Sequence, residues 1–311
     1  MFTADSSPLD GIVKVVSVRS KENFYVDWWL MNHCSWDCSY CHEIIKSGNI
    51  ALPKYLDCVK FVDQLMDHCE KIGKSCVINF TGGEVTEWSE FDDLVSYANE
   101  KGAMIMFRTN ANLTVERWSD LLEKSHKINV EVHPEFTSVS HFLIMLDRAV
   151  KSSAHLDVNV NMTKEHWEAM EELCNKIKER HPHIYVRKKM LFQDPVFNTK
   201  PLDYKPEQIV KIKKQLGDLV MVDDQGNEHI THYHKALLEN KNVFKQWKCW
   251  AGVEQIIVDA YGKIFKGHCR IDGYLGKLGD EEVYWMNEPR DCTTDICKNA
   301  FDILSTKKRI I

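Results

Sequence analysis

The amino-acid sequence predicts an α/β protein in which a partial (β/α)6 barrel precedes a smaller C-terminal α+β unit. Two observations support this fold class. From residue 24 to residue 192, short runs rich in β-branched and aromatic residues alternate with longer segments of helical periodicity. Near residue 200 this alternation stops, in a segment where prolines cluster. Strands that alternate with helices form βαβ units and therefore a parallel sheet, and 311 residues suit two structural units.

Six strands are predicted in the first part of the chain. They are Phe24–Met31, Cys76–Phe80, Ala103–Arg108, Ile128–Val132, Leu156–Val160 and Ile184–Phe192. The helices between them are Lys54–Ile72, Glu87–Lys101, Val115–Lys124, Val139–Ser152 and Lys164–Arg180. A closed eight-stranded barrel takes ~250 residues and this stretch has about 170, so a partial barrel is predicted. A doubly wound sheet remains an alternative, because alternation does not reveal strand order.

The C-terminal unit begins after a linker. The segment FQDPVFNTKPLDYKPEQ contains three of the eight prolines. We therefore divide the chain into a lead-in of residues 1–23, a barrel of residues 24–200 and an extension of residues 201–311. Within the extension we expect a helix over Pro206–Leu216, hairpins over residues 221–231 and 256–267 that each turn at a glycine, and a helix over Lys298–Leu304.

Composition excludes several classes of protein. No apolar run approaches the ~18 residues of a membrane-spanning helix, and the first residues show no secretory signal, so we expect a cytoplasmic protein. Forty basic against 46 acidic residues give a net charge of −6, which disfavours nucleic-acid binding. The 11 cysteines are too few for a disulfide scaffold. Four isolated ones are expected in the core, namely Cys58, Cys69, Cys76 and Cys174.

Three cysteines crowd together directly after the first predicted strand. Cys34, Cys38 and Cys41 therefore lie at the carboxyl edge of the sheet, where parallel α/β folds place their sites. Such a C-x3-C-x2-C loop can ligate three corners of a [4Fe–4S] cluster and leave one iron open to a small molecule. A zinc site is the alternative, and it would need His33 or His42 as a further ligand.

This loop resembles the C-x3-C-x-aromatic-C signature of the radical S-adenosylmethionine (SAM) enzymes, with Tyr40 as the aromatic residue. At the end of the second strand, Thr81-Gly82-Gly83-Glu84 resembles the glycine-glycine-glutamate motif of that family. The resemblance implies that the catalytic triad Cys34, Cys38 and Cys41 holds a [4Fe–4S] cluster. It also implies reductive cleavage of SAM to a 5′-deoxyadenosyl radical, which abstracts hydrogen from a substrate, and an electron donor such as flavodoxin or ferredoxin.

The same resemblance implies a set of residues that hold SAM. Gly82 and Gly83 would let the backbone approach SAM closely, Glu84 would accept from its ammonium group, and Tyr40 would pack beside adenine. The whole implied set, which includes polar residues at later strand ends, is Tyr40, Thr81, Gly82, Gly83, Glu84, Asn110, Glu131, His133 and Asn161. The last three could equally contact substrate or solvent.

A second group of four cysteines lies in the C-terminal unit: Cys249, Cys269, Cys292 and Cys297. A predicted hairpin separates the first two. The arrangement resembles the twitch or SPASM extension of some radical SAM enzymes and implies a second, auxiliary [4Fe–4S] cluster, in the shorter twitch form. Structural zinc bound by four cysteines is the alternative. The nearby histidines His229, His232 and His234 are interpreted as a polar hairpin surface.

The function predicted from the sequence is radical SAM chemistry on a substrate that the sequence does not name. The resemblance implies either modification or oxidation of a peptide or protein, or a small-molecule dehydrogenase or cyclase. An iron–sulfur electron carrier without SAM chemistry is a competing class, and it has no use for a Gly-Gly-Glu turn. An RNA-modifying enzyme is a further option that the net charge of −6 weakens.

Overall fold

The structure is a computed structural model, and it describes residues 9, 11–17, 19, 21–193, 201–214, 217 and 219–310. The strands are β1 (Ile12–Ser17), β2 (Asn23–Met31), β3 (Ser75–Gly82), β4 (Met104–Thr109), β5 (Lys127–Val132), β6 (His155–Met162), β7 (Tyr185–Met190), β8 (Leu219–Asp223), β9 (Glu228–Thr231), β10 (Lys248–Cys249), β11 (Gln255–Val258), β12 (Lys263–Phe265), β13 (Tyr274–Lys277), β14 (Arg290–Asp291) and β15 (Lys307–Lys308). The helices are α1 (Glu43–Lys46), α2 (Tyr55–Lys71), α3 (Phe91–Glu100), α4 (Val115–Glu123), α5 (Val139–Ala149), α6 (Trp167–Arg180), α7 (Pro206–Lys213), α8 (Tyr233–Leu238) and α9 (Ala300–Ile303).

A nine-stranded sheet forms the barrel, in the order β13-β12-β11-β2-β3-β4-β5-β6-β7. The six predicted strands are confirmed as β2 to β7, and they pair in parallel with their neighbours in sequence. Because the strand order never reverses, the sheet winds in one direction and is not doubly wound. Within the described residues β7 and β13 remain the edges of the sheet, so the partial barrel is confirmed and is not closed.

The C-terminal part of the chain shares the barrel's sheet. Strand β11 pairs in parallel with β2, and β12 and β13 continue the sheet antiparallel. Conversely, β1 from the lead-in pairs with β8 and β15 in a second, six-stranded sheet. The predicted boundary at residue 200 therefore does not separate the two sheets. Strand β2 has a hydrogen-bonding edge on each side that must find a partner, and a four-residue run such as β11 does not reveal which edge it will pair with.

The two faces of the barrel sheet differ in chemistry. Aromatic side chains on the outer face meet edge to face beneath the helices, as in the contacts of Trp28 with Phe61 at 5.1 Å and of Phe91 with Phe107 at 5.5 Å. Alternate residues point to opposite faces of a strand, so the neighbours of these aromatic residues face the barrel interior. Asp27, which precedes Trp28, and Asn79, which precedes Phe80, are examples. Asn79 Nδ2 donates to Asp27 Oδ1 at 2.6 Å. The interior of the barrel is therefore lined with polar side chains.

Both predicted hairpins are confirmed, as β8 with β9 and as β11 with β12. The interpretation of the three histidines as a polar hairpin surface is wrong for two of them. His229 lies exposed on β9, next to Asp223. His232 and His234 are buried, because the chain turns from β9 directly into α8 and His232 accepts a hydrogen bond from the His234 N–H as the N-cap of that helix.

Helix ends differ from the predicted ones by a few residues. The largest difference is at α3, which begins at Phe91 and not at Glu87, because a short 3-10 turn over Val85–Glu87 precedes it. The four isolated cysteines are all buried, as predicted. The middle of the predicted linker, residues 194–200, lies outside the described residues. In the described part of the chain, no helix is both long and apolar enough to cross a membrane.

Candidate active site

A cavity of about 300 Å³ opens where strands β2 to β7 end. The structure brings the predicted triad, the Gly-Gly-Glu turn and the other predicted SAM residues together around it. The lining residues that the sequence singled out are Cys34, Cys38, Tyr40, Cys41, Thr81, Gly82, Gly83, Glu84, Asn110, Glu131, His133 and Asn161. These residues lie at the ends of five different strands, and the parallel sheet brings the ends of those strands to one edge.

His133 lies against the cysteine loop. The ligand atoms of Cys38, Cys41 and His133 all lie within 4.8 Å of one another, and Cys38 Sγ lies 3.4 Å from His133 Nδ1. Tyr40 reaches the same nitrogen with its hydroxyl at 2.9 Å. Burial lowers the pKa of His133 to about 4, so its imidazole is neutral near pH 7. Cys34 lines the same cavity but stands outside this close group.

Two carboxylates hold the cysteine loop in place, and sequence reasoning missed both. The backbone N–H of Ser35 donates to Glu87 at 2.9 Å, and the Ser35 hydroxyl donates to the same side chain. On the other side of the loop, the Ser39 N–H donates to Glu135 at 2.7 Å. Each serine lies beside a cysteine of the triad. The loop is thus tied to the turn after β3 and to the segment after β5, which fixes the direction of its thiols.

The two glycines of the Gly-Gly-Glu turn allow the cysteine loop to dock on β3. The Gly83 N–H donates to Met31 O at 2.8 Å, and the Glu84 N–H donates to His33 O at 2.7 Å. A Cβ atom on Gly83 would lie 1.8 Å from His33 O, and one on Gly82 would lie 2.2 Å from Met31 O. The resemblance implied that these glycines make room for SAM. The structure adds a second reason, since they make room for the backbone that leads into the triad.

Glu84 is almost completely buried and joins the turn to the end of β4. Its Oε1 accepts from the hydroxyls of Thr86 and Thr109 at 2.7 and 2.8 Å, and its Oε2 accepts from the Asn110 N–H at 2.7 Å. Burial raises the pKa of Glu84 above its ordinary value, although these hydrogen bonds oppose the shift. A carboxylate has about four acceptor positions, so Oε2 retains capacity to accept from a further donor.

Two buried donors at the cavity have no hydrogen-bond partner among the described residues. They are Trp29 Nε1 and Asn110 Nδ2. A buried donor without a partner costs about 1–3 kcal/mol, so a bound ligand with acceptor atoms would stabilise both. Three thiols can ligate a cluster, the Glu84 carboxylate can accept from an ammonium group, and the two N–H groups can donate to a ligand. This combination fits a thiolate-bound cluster with a zwitterionic amino acid beside it. The residues present therefore fit a [4Fe–4S] cluster and SAM.

Other predicted SAM residues already have protein partners. Glu131 accepts from Asn159 Nδ2 at 2.9 Å and from Lys189 Nζ at 2.7 Å. Burial alone would raise the pKa of Glu131, but the positive charges of Lys189 and Arg108 outweigh it and keep that pKa below its ordinary value. Asn161 Nδ2 donates to a backbone carbonyl on β5 at 3.0 Å. These side chains form part of the polar barrel interior.

The histidines that a zinc alternative would recruit are engaged elsewhere. His33 Nε2 lies 3.3 Å from a carboxylate oxygen of Glu87. His42 Nδ1 accepts from the Ile44 N–H at 3.1 Å as the N-cap of α1. The histidine that does lie beside the thiols is His133, which is almost a hundred residues away in sequence.

The four C-terminal cysteines lie outside the cavity but close to it. Cys249 is on β10, and Cys292 follows β14, which pairs with β10. Cys269 is fixed by its N–H, which donates to Asp302 Oδ2 at 2.9 Å. His268, the residue before Cys269, lines the cavity, as does Phe301, the residue before Asp302. The cavity thus reaches from the triad to the segments that carry the second cysteine group.

A buried lysine lies among these cysteines. Lys307 is 1% exposed, and its Nζ donates to Ser305 O at 3.0 Å and to Asp302 O. Burial alone would lower the pKa of Lys307, but Cys249 and Cys297 outweigh it and raise that pKa. The ammonium group therefore supplies positive charge where thiolates are expected.

The spacing of the four sulfur atoms is wide. Among the described residues no three of these thiols lie within 4.8 Å of one another. Tetrahedral zinc with Zn–S bonds of ~2.3 Å would hold its sulfur ligands ~3.8 Å apart. The four thiols are therefore spread over a larger volume than one zinc ion spans.

Comparison with known proteins identifies the family. Residues 30–187 match the family described as the radical SAM superfamily. Among solved structures, the chain is similar to native anSMEcpe with bound AdoMet, which is SAM (TM-score 0.57, 15% identity, covering 83% of this chain and 78% of that one). It is also similar to Streptococcus suis SuiB bound to the precursor peptide SuiA (TM-score 0.55, 14% identity, covering 85% of this chain and 65% of that one).

At these identities the two solved structures share the fold. The chain spans slightly less than two thirds of the length of SuiB. A search of curated proteins finds no match. The family match is of a different kind, because it covers just over half of the chain and includes both the cysteine loop and the Gly-Gly-Glu turn. The chain belongs to the radical SAM superfamily, whose members use a [4Fe–4S] cluster and SAM.

Proposed function

We propose that the protein is a radical SAM enzyme that abstracts hydrogen from a peptide or protein substrate and modifies or oxidises it. The single observation that supports this most strongly is the shared cavity. Cys34, Cys38 and Cys41 line it together with the Gly-Gly-Glu turn, and so do residues from the C-terminal part of the chain. A substrate in this cavity would lie between the two cysteine groups.

Each part of the cavity has a role in this proposal. The three thiols of the triad would hold the cluster, which supplies the electron that cleaves SAM and so generates the hydrogen-abstracting radical. Glu84 Oε2 would accept from the SAM ammonium group, and Asn110 Nδ2 and Trp29 Nε1 would donate to SAM or substrate. Tyr40, Thr81, Glu131, His133 and Asn161 remain proposed SAM contacts through their place on the cavity wall.

We infer that residues 201–311 act as an extension that holds a second [4Fe–4S] cluster. One feature supports a cluster over zinc: among the described residues, no three of the four sulfur atoms lie within 4.8 Å of one another. The four thiols and the buried Lys307 ammonium, which offsets thiolate charge, suit either group. With no open iron, this cluster would carry electrons and shape the cavity. It could accept the electron of a substrate radical, in which case the net reaction is an oxidation.

A peptide is the substrate class we propose first. SuiB, which shares the fold, has been solved with a precursor peptide bound. The cavity here is open at the strand ends and bordered by Trp36 and Phe301, which offer aromatic surface to a chain passing over the mouth. An electron donor such as flavodoxin or ferredoxin, and a place in the cytoplasm, complete the proposal.

The experiment that tests the proposed function begins with anaerobic reconstitution of the full chain. Protein, SAM and dithionite are incubated with native cell extract, and peptides and small molecules are analysed separately by mass spectrometry. We expect a mass change in a peptide, with 5′-deoxyadenosine formed alongside. Cys41→Ala should abolish both, whereas Cys174→Ala, which alters a buried core cysteine, should retain both. A mass change confined to small molecules would replace the peptide assignment.

A further inference from the structure

Arg108 extends from β4 into the cavity, where its one ion pair among the described residues is a long one. Its side chain is 45% exposed, and its nearest carboxylate is Glu131, with Nη1 to Oε1 at 3.9 Å. That distance is too long for a hydrogen bond. Among the described residues no other ion pair and no hydrogen bond engages the Arg108 guanidinium. Five N–H donors of a rigid, permanently charged group therefore face the cavity.

The carboxylate nearest to Arg108 is already neutralised by another cation. Glu131 receives a direct hydrogen bond from Lys189 at 2.7 Å and one from Asn159 at 2.9 Å. Glu131 is buried, so its charge requires a close partner, and Lys189 is that partner. Arg108 therefore adds a longer-range attraction to a Glu131–Lys189 pair that already has its direct hydrogen bond.

Two further carboxylates line the cavity, and both have partners. Glu84 accepts from Thr86, Thr109 and the Asn110 N–H, and it is proposed to bind the SAM ammonium group. Asp27 accepts from His268 Nε2 at 2.8 Å and from Asn79 Nδ2 at 2.6 Å. Closer to the triad, Lys46 is paired with Asp37 and Glu43. Among the described cations that line the cavity, Arg108 is therefore the one with the longest ion pair and with no hydrogen bond to an anion.

The net charge of bound SAM would not supply an anion for Arg108. SAM has a sulfonium and an ammonium group against one carboxylate, so it adds one net positive charge. The oxidised cluster held by three thiolates would carry one net negative charge, which that of SAM offsets. Together they bring no net negative charge to balance the guanidinium of Arg108, in surroundings where water is partly excluded and charge interactions are stronger than in water. An anionic group on the substrate would balance it. Arg108 presents the planar fork that binds a carboxylate in a bidentate manner.

We propose that Arg108 binds a carboxylate of the substrate and so selects a molecule with an acidic group. This inference rests on the proposed function. In a peptide the carboxylate could belong to an acidic side chain or to the C-terminus, and in a small molecule to a simple dicarboxylate. All three share one chemistry, and their sources can be separated by choice of probe.

The test measures binding of short probes to the reconstituted full chain with saturating SAM and no reductant, so that no turnover occurs. By equilibrium dialysis, radiolabelled acetyl-alanyl-glutamyl-alanine amide is compared with its glutaminyl counterpart. A glutaminyl peptide with a free C-terminus and glutarate test the other two sources. We expect at least one carboxylate probe to bind about tenfold or more tightly than the neutral peptide, as for a charge-assisted hydrogen bond.

The variants assign that preference to one side chain. Arg108→Gln should remove the preference for the carboxylate, and Arg108→Lys should keep part of it because the charge remains. The matched control is Arg180→Gln, which breaks a surface pair with Asp147 and should retain the wild-type preference. Iron content and SAM affinity are measured for each variant, so that loss of folding or of the cluster is recognised.

Two results would overturn the inference. The first is equal binding of acidic and neutral probes by the wild-type protein, including binding of none of them. The second is a tenfold loss of SAM affinity in Arg108→Gln, since that would assign Arg108 to the SAM carboxylate. The proposed function is tested separately by 5′-deoxyadenosine formation in the wild-type protein with dithionite. Wild-type protein that cleaves SAM but shows no preference for acidic probes would refute the role of Arg108 alone.

Discussion

Asp27 Oδ2 lies 2.8 Å from His268 Nε2, and this pair joins the first barrel strand to the loop that carries Cys269. Both side chains are about nine-tenths buried. Burial alone would raise the pKa of Asp27 and lower that of His268. The hydrogen bond and the opposite charge of the partner outweigh the effect of burial on each group. The pKa of Asp27 is therefore lowered and that of His268 is raised. The two cysteine groups are connected by a charged pair in the barrel interior.

Asp27→Asn should lower the stability of the folded protein by about 3 kcal/mol near pH 6, because it leaves His268 buried without its counter-charge. The pair is complete above the ordinary Asp pKa of 3.8 and below the ordinary His pKa of 6.5. The stability that His268 contributes is lost as pH rises through its raised pKa, and that of Asp27 is lost as pH falls through its lowered pKa. The measurement is denaturant unfolding of the anaerobic protein as a function of pH.

The control for this prediction is Asp203→Asn, which removes the carboxylate of an exposed ion pair with Lys164. Solvent screens that pair, so little change is expected. If Asp27→Asn destabilised the protein equally at pH 6 and well above the raised pKa of His268, the ion pair would not be the cause.

Gly83→Ala should disrupt the cysteine loop. The new Cβ would lie 1.8 Å from the carbonyl oxygen of His33, so the backbone that leads into Cys34 must move. We expect this variant to lose the iron of the triad and SAM binding together. Gly73→Ala is the control: Gly73 has a φ of +63° and nothing within 4 Å of a Cβ, so a cost of about 1 kcal/mol and full iron content are expected.

The measurement for the glycine pair is iron and SAM bound per chain after reconstitution. Full iron content in Gly83→Ala with loss of SAM binding alone would mean that the glycine serves SAM and not the loop. That is the role that the family resemblance implies.

The barrel was predictable because its signals are local. Each of β2 to β7 is a short apolar run between helical segments, and the parallel arrangement follows from that alternation. The cysteine loop and the Gly-Gly-Glu turn were found for the same reason, since each is one short stretch of sequence. Their meeting at the strand ends then follows from the geometry of a parallel sheet.

The contacts that the sequence did not predict join residues far apart in the chain. Glu87 and Glu135 look like ordinary surface acids in the sequence, yet they hold Ser35 and Ser39 of the cysteine loop. The pairing of β11 with β2 also escaped prediction, because a four-residue strand carries no signal for its neighbour. Periodicity shows which face of a segment is buried, whereas these contacts depend on which segment lies opposite.

Cys269→Ala should separate SAM cleavage from product formation. The triad and the Gly-Gly-Glu turn lie at the ends of β2 and β3 and do not include Cys269, so SAM cleavage without substrate should persist. Product should be lost, because the second cluster would no longer take up an electron. Bound iron should fall from about 8 to about 4 per chain. Formation of product at the wild-type rate would show that the second site is structural.

Lys307→Met should make the second cluster harder to reduce. Its buried ammonium lies close to Cys249 and Cys297, and removal of positive charge beside a cluster disfavours an added electron. We expect the reduction potential to become more negative by roughly 60 mV, a factor of ten in the equilibrium constant for one electron. Potentiometric titration followed by electron paramagnetic resonance measures this, with Lys307→Arg as the variant that retains charge. An unchanged potential in Lys307→Met would mean that the ammonium only caps the carbonyls around Ser305.

We propose that the cavity at the strand ends performs radical SAM chemistry through Cys34, Cys38 and Cys41. The most direct measurement is 5′-deoxyadenosine released from SAM by the reconstituted protein under dithionite, without substrate. We predict that wild type and Cys174→Ala release it, and that Cys41→Ala, with two triad thiols left, releases none. Wild-type protein that contains its full iron but neither binds SAM nor releases 5′-deoxyadenosine would show that this cavity does not perform radical SAM chemistry.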